Sequence, residues 1–249
     1  MIKVCIIGYG NVGQQLYKAF KKSKKVTVLQ VYGRSVEPKI KGKTQFINDF
    51  TQLLHADTYF LTVRDNAIEE VAKLLPENGT LLVHTSGSMP LDTIAGRKHR
   101  GVFYPLQTIS QEVASDFNKI PICLEAENTQ DAKLLKKLAK SISKKVVFLS
   151  SGERQKLHLA AVWVNNFSNH LFHLAYDYLT ENQLDFQLLM PLILETTEKL
   201  KSVTPFEAQT GPARRHDTQT LQKHLTLLED PKQKEIYTLL SNSIQEKFN

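Results

Sequence analysis

What this chain of 249 residues lacks narrows it first. Cysteine occurs twice, as Cys5 and Cys123, each inside a short apolar run. Two such residues make no disulfide framework and read as buried free thiols in a reducing compartment. The longest unbroken apolar run covers only residues 159–164, against about 20 needed to span a bilayer, so no membrane partner is expected. Met1 leads straight into a strand-like segment, without a basic stretch and long apolar core, so a cytoplasmic location is expected and a secretory leader is not. CxxC, HExxH and Walker patterns are missing, and no metal is expected. Acidic residues fall short of basic ones, 25 against 32, for a formal charge of +7. What is present is ordinary globular stock, 41% hydrophobic and 23% charged, which excludes disorder as the main state.

The basic excess is mostly lysine, clustered at residues 21–25 and 136–145 near the ends of predicted helices. Cations there oppose the C-terminal dipole and stay solvated. No aromatic residues interleave them and arginine is scarce, so nucleic acid is not an expected partner. A positive field that favours small anionic ligands is the milder consequence.

Short apolar runs at residues 3–7, 26–32, 58–63, 80–84, 102–104, 120–125 and 146–149 predict strands. Helix-period segments at 12–21, 67–75 and 129–142 lie among them. Such alternation predicts an α/β fold, a Rossmann-type doubly wound, mostly parallel sheet over residues 1–151. From residue 152 the texture changes: 153–179 reads as one long helix, and 187–199, 218–228 and 231–246 as three more. Residues 152–249 are thus expected to form an all-helical domain for substrate binding and dimerisation, since so small a helical unit gains by docking on a neighbour or a second copy.

Gly8-Tyr9-Gly10-Asn11-Val12-Gly13 follows the first strand and opens the first helix, the context a dinucleotide fingerprint requires. Gly8 permits the tight turn, Gly10 lets backbone approach a pyrophosphate, and Gly13 lets helix pack on strand. Amides of the first turn, at Asn11 and Val12, then hold the phosphates. The second strand ends in Gly33-Arg34-Ser35 without the acid that binds a ribose 2′-hydroxyl. A guanidinium fork and a hydroxyl suit a 2′-phosphate, so the expected cofactor is NADP. Backbone at Val63 and Arg64, after the 58–63 strand, is expected beside it, with Asp65 as a helix cap.

Three segments offer groups for the reaction. His84-Thr85-Ser86-Gly87-Ser88 follows a buried strand, and its hydroxyls and amides suit a nicotinamide amide or a carboxylate. On the long helix His158, Val162, Asn165, Asn169 and His173 trace one stripe, with His158 a candidate proton donor and Asn165 on its face. Thr210-Gly211-Pro212-Ala213-Arg214-Arg215 looks like a helix start, and Arg215 would meet an anionic group. Buried polar groups satisfied by neighbouring backbone are the structural alternative for each.

The order of these motifs, with Phe103-Tyr104-Pro105-Leu106 and the late Thr210-Gly211-Pro212 segment, resembles one family. It joins a Rossmann-like NADP-binding domain to a helical domain of unknown function. It is similar to pyrroline-5-carboxylate reductase and, more distantly, to the 6-phosphogluconate dehydrogenase superfamily. The resemblance implies an NADP-binding reductase whose helical domain forms the substrate pocket and often a homodimer. With the segments read above, the expected activity is hydride transfer from NADPH to a small anionic carbonyl or imine compound, with His158, Asn165 and Ser86 catalytic and His84, Thr210 and Arg215 at the substrate. Hydroxyacid relatives carry a lysine four residues before an asparagine on this helix; here Lys156 precedes Ala160. That departure leaves open a dinucleotide-binding regulatory or interaction protein without turnover.

Overall fold

The computed structural model describes residues 1–34, 42–110 and 113–248. It divides into two compact units, Met1–Asn166 and Phe167–Asn249.

The first unit is built on an eight-stranded sheet. Its strands are β1 (Ile2–Ile7), β2 (Val26–Tyr32), β3 (Gln45–Ile47), β4 (Thr58–Leu61), β5 (Leu81–His84), β6 (Arg100–Pro105), β7 (Ile122–Ala126) and β8 (Val146–Phe148), in spatial order β3-β2-β1-β4-β5-β6-β7-β8. All neighbours run parallel except β6 and β7. The mostly parallel, doubly wound reading therefore holds. The chain winds outward from β1 to β3, then restarts at β4 on the other side. This reversal opens a crevice at the carboxyl ends of β1 and β4, where such sheets take ligands.

Both faces of the sheet are covered, and the period-two alternation assigns each residue to one of them. Val4 and Ile6 of β1 join Phe60, Val83 and Phe103 in one core, under Leu16 and Phe20 of α1 (Asn11–Lys22) and Leu135 and Leu138 of α3 (Thr129–Lys140). Cys5 and Ile7 face the other way, toward Tyr59, Leu61 and Ile68 of α2 (Ile68–Leu74). In the first core Phe60 meets Phe103 edge-on at 5.2 Å and Phe20 at 5.3 Å.

The helix expected over 153–179 is interrupted. α4 (Ser151–Ala161) passes through a π-helical stretch, Val162–Phe167, into α5 (Ser168–Glu181). A π-turn inserts an extra residue per turn, so the face carrying His158 does not continue as one stripe through Asn169 and His173. The break also falls at the limit of the first unit, so α4 belongs with the sheet although composition changes at Ser150. Ser150 caps α4 in a reciprocal capping box with Glu153.

The second unit holds α5, α6 (Met190–Lys199), α7 (Pro205–Ala208), α8 (Thr218–Leu227) and α9 (Pro231–Lys247). Asp217 and Asp230 cap α8 and α9, as their positions before the helices suggest. Among its described residues only Ala213, Leu221 and Ser241 are buried. Two elements escape the periodicity: β3, three residues at the sheet edge, and α7, one turn opened by a Thr204–Glu207 capping box.

The aromatic cluster gives a stability test. Phe60→Ala removes a fully buried ring that two others touch, and should cost about 3–5 kcal/mol in urea denaturation. A loss under about 1 kcal/mol would show that the cluster is not packed as described.

Candidate active site

The turn after β1 is shaped by close contacts. Gly8 has φ +107°, and a Cβ on it would lie 2.7 Å from the Thr62 carbonyl oxygen. A Cβ on Gly13 would lie 2.2 Å from the Gly8 carbonyl oxygen and 2.7 Å from Thr62 Oγ1. Thr62 Oγ1 donates to the Gly8 carbonyl at 2.7 Å and so clips the turn to the end of β4. Gly10 differs from both. It is the N-cap of α1, no side chain caps that helix end, and a Cβ placed on it meets nothing within 4 Å. Two glycines are thus demanded by the protein's own packing, and the third faces open space beside uncapped amides. Residues in this arrangement fit a dinucleotide diphosphate.

Asn11 begins α1, and its side-chain amide donates to the Ile109 carbonyl at 3.1 Å, while Val12 is half-buried against the core. Arg34 is exposed just beyond β2, and the expected Ser35 lies outside the described residues. Val63 packs on the second core and Arg64 is exposed after β4. Asp65 is not the helix cap expected of it. Its carboxylate accepts from Ser88 Oγ at 2.6 Å, which ties the loop after β4 to the loop after β5.

That second loop separates supporting residues from the surface they support. His84, expected at the substrate, is fully buried with both ring nitrogens engaged. Nδ1 accepts the Ser86 amide at 3.3 Å, and Nε2 lies 3.3 Å from the Pro90 carbonyl, to which it donates. Burial holds its pKa down at about 4, helped by nearby Arg154. A ring so enclosed spends both nitrogens on the shape of the loop. The Ser86 hydroxyl, also buried, accepts the amides of Ser88 at 3.2 Å and Met89 at 3.1 Å. Its bonds fold the turn back on itself.

Gly87, between them, is where the loop meets α4 and β6. A Cβ there would lie 2.6 Å from His158 Nδ1 and 2.7 Å from Tyr104 Cζ. His158 Nδ1 is 3.1 Å from the Tyr104 hydroxyl. Tyr104 stands at the end of β6, buried, its phenol pushed up to about 12 mainly by desolvation. α4 is anchored against this loop one turn earlier. Arg154, 1% exposed, pairs with Glu125 of β7 and donates to the Met89 carbonyl at 2.5 Å, while Gln155 donates to the Ser88 carbonyl at 2.8 Å.

β1, β4, β5 and β6 are parallel neighbours, so Gly10, Val63, Gly87, Tyr104 and His158 gather at the carboxyl end of the sheet. Asn165 is half-buried within the π-helical stretch. Thr210 and Arg215 are exposed in the second unit, in a turn rather than at the helix start expected there. Left-handed Gly211 (φ 106°) and His216 (φ 54°) bracket that turn. Arg214, not Arg215, is held: it donates to the Gln209 carbonyl and lies 4.9 Å over the Phe248 ring. Sequence reasoning overlooked Tyr104 and Arg154 as site residues. Arg154 lies four positions before His158, on the same helical face, and that spacing was the available signal.

Residues 3–87 match the family model described as NADP oxidoreductase coenzyme F420-dependent, and residues 120–244 match a domain of unknown function, DUF2520. The crystal structure of a candidate NADP oxidoreductase from Bacteroides fragilis is 36% identical over 98% of both chains, with a TM-score of 0.88. The chain belongs to this oxidoreductase family. A Thermotoga maritima protein shares its fold at 21% identity and TM-score 0.74, over 98% of this chain and 99% of that one. So does the pyrroline carboxylate reductase of Plasmodium falciparum, solved with NADP bound, at 12% identity and TM-score 0.63, over 100% and 98%. No curated protein matches the chain.

The loop support in this oxidoreductase should be visible in its pH stability. An unfolded histidine titrates near 6.5, whereas folded His84 stays neutral down to about 4. Between those values the unfolded chain takes up a proton that the folded chain refuses. Stability present above pH 6.5 is therefore lost as pH falls toward 4, by up to about 1.4 kcal/mol per pH unit. Urea midpoints at pH 7 and 5 should fall further in the wild type than in His84→Asn. Equal falls would contradict the buried neutral ring.

Proposed function

We propose that this oxidoreductase transfers hydride from NADPH to a small anionic carbonyl or imine compound. The observation that carries the reading is the open, uncapped mouth of α1 at Gly10, set at the same carboxyl end of the sheet as the Gly87–Tyr104–His158 contact. NADPH bound there supplies the hydride. Amides of Asn11 and Val12 hold the diphosphate, and Arg34 reads the 2′-phosphate. Backbone at Val63 and Arg64 lies beside the coenzyme. His158 protonates the reacting atom, and Asn165 helps to orient it. Ser86 serves by shaping the loop. Thr210 and Arg215 take the anionic group of the substrate. The functional division of the chain falls at residues 151 and 152, where the sheet ends and α4 is capped.

Two further parts of the reading concern the protein's setting. Its free, buried thiols favour the cytoplasm; burial pushes Cys5 up to about 12, far from reactivity. The helices favour a homodimer. Leu171, Leu188, Leu192 and Leu194 are exposed at 41%, 73%, 63% and 58%, in a unit with almost no buried apolar residue of its own. A second copy with the same unsatisfied leucines is the natural cover, over roughly 800 Å² per partner.

Coenzyme titration tests the first part. Gly10→Ala should leave the melting curve unchanged, since its methyl meets no atom of the described residues within 4 Å, yet abolish NADPH binding. Arg34→Ala should weaken NADPH about tenfold and leave NADH alone. Unchanged NADPH affinity in both variants would remove the coenzyme site from this end of the sheet. For the assembly, sedimentation should give twice the 28.3 kDa chain mass, and Leu188→Glu with Leu192→Glu should give the monomer. A wild-type monomer would sink the homodimer.

A further inference from the structure

The pair that Gly87 touches has a chemical direction. Gly87 has no left-handed φ, so glycine is required there for space: any side chain would strike both His158 Nδ1 and the Tyr104 ring. The rings meet edge-on, with centroids 5.9 Å apart and planes at 74°. Tyr104 is nearly enclosed and keeps its hydroxyl proton up to about 12. Its hydroxyl has no other hydrogen-bond partner among the described residues, so its proton points to Nδ1, and a neutral His158 then carries its own hydrogen on Nε2. Nε2 has no hydrogen-bond partner among the described residues, and the ring is half-exposed.

We propose that Tyr104 is a positioning residue that holds His158 as its Nε2–H tautomer, so that the site offers a donor to a carbonyl oxygen and is built for carbonyl rather than iminium reduction. This rests on the reductase reading and narrows its substrate class. An iminium nitrogen already bears hydrogen and gives a neutral amine on receiving hydride, so it needs no proton donor. A carbonyl becomes an alkoxide and does. The carbonyl carbon takes hydride from the nicotinamide, and its oxygen takes the Nε2 proton. Nδ1 takes the phenol proton, which leaves the imidazole neutral. A solvent proton arriving at Nε2 then returns one from Nδ1 to Tyr104. The sum is one hydride and one solvent proton added across C=O.

The tautomer can be read without a substrate. In full-length protein labelled with ¹⁵N-histidine at pH 8, long-range ¹H–¹⁵N correlation should show His158 as Nε2–H, assigned by its loss in His158→Gln. Tyr104→Phe should turn it into a mixture of tautomers. An Nδ1–H pattern in the wild type overturns the proposal, and that measurement stands even if Tyr104→Phe fails to fold. So does an unchanged pattern in a folded Tyr104→Phe. With NADPH, the wild type should reduce glyoxylate, pyruvate or 2-oxobutyrate faster than 1-pyrroline-2-carboxylate; an equal or lower rate overturns the substrate class. Failure of wild-type NADPH binding would instead strike the coenzyme reading, with the tautomer result untouched.

Discussion

Gly13 approaches the carbonyl of Gly8 so closely that only hydrogen fits between them, and the proposed coenzyme end of the site follows from that contact. It brings the first turn of α1 down onto the end of β1, and Thr62 Oγ1 locks the same carbonyl to β4. With Gly8 held from both sides, Gly10 projects past the packing, and the first amides of α1 point where no atom of the described residues answers them. Unpaired helix-end amides are an anion site only when the helix end is fixed and uncovered. The fixing comes from Gly13 and Thr62, and the uncovering from the missing side chain of Gly10.

At the proposed reaction end a different device does the fixing. Arg154 is a guanidinium almost wholly out of water, and removing it from water costs several kcal/mol. Its pairing with Glu125, itself bonded to the amide and hydroxyl of Ser151 at 3.0 Å and 2.8 Å, offsets that cost. Such a pair adds little net stability over an apolar packing of equal volume. What it does provide is position. It ties the first turn of α4 to β7 and, through the Met89 carbonyl, to the loop that carries Gly87. His158 stands one turn further along the same helix. Its distance from Gly87 is therefore set by rigid elements rather than by the loop alone.

The sheet was legible because its signals are local. Buried parallel strands must be short and β-branched, and the glycine triad must sit between a strand and a helix. Every core strand was found on that basis, and β3 was missed because three edge residues carry too little pattern. The helical half was less legible for two reasons. A π-turn leaves no mark in apolar periodicity, so the stripe from His158 to His173 looked continuous in sequence. Burial, too, is a tertiary property: His84 and Ser86 have the chemistry of ligand groups, and only the structure shows their polar atoms consumed within the loop. Tyr104 illustrates the converse. In sequence it is one aromatic residue at a strand end, and it acquires a role only when α4 delivers His158 to it.

The neutrality of His84 also follows from Arg154. A second cation beside a buried guanidinium would meet Coulomb repulsion in addition to its own desolvation, and both push the imidazole toward its neutral form. A neutral ring can accept the Ser86 amide at one nitrogen while donating to the Pro90 carbonyl from the other; a charged one would have two donors and lose the first bond. The loop's shape thus depends on His84 remaining uncharged. Its depressed pKa keeps that condition satisfied well below neutral pH. One histidine is sealed within the loop, and the other is left half-open beside it. The two differ in surroundings alone, which is why residue type did not tell them apart.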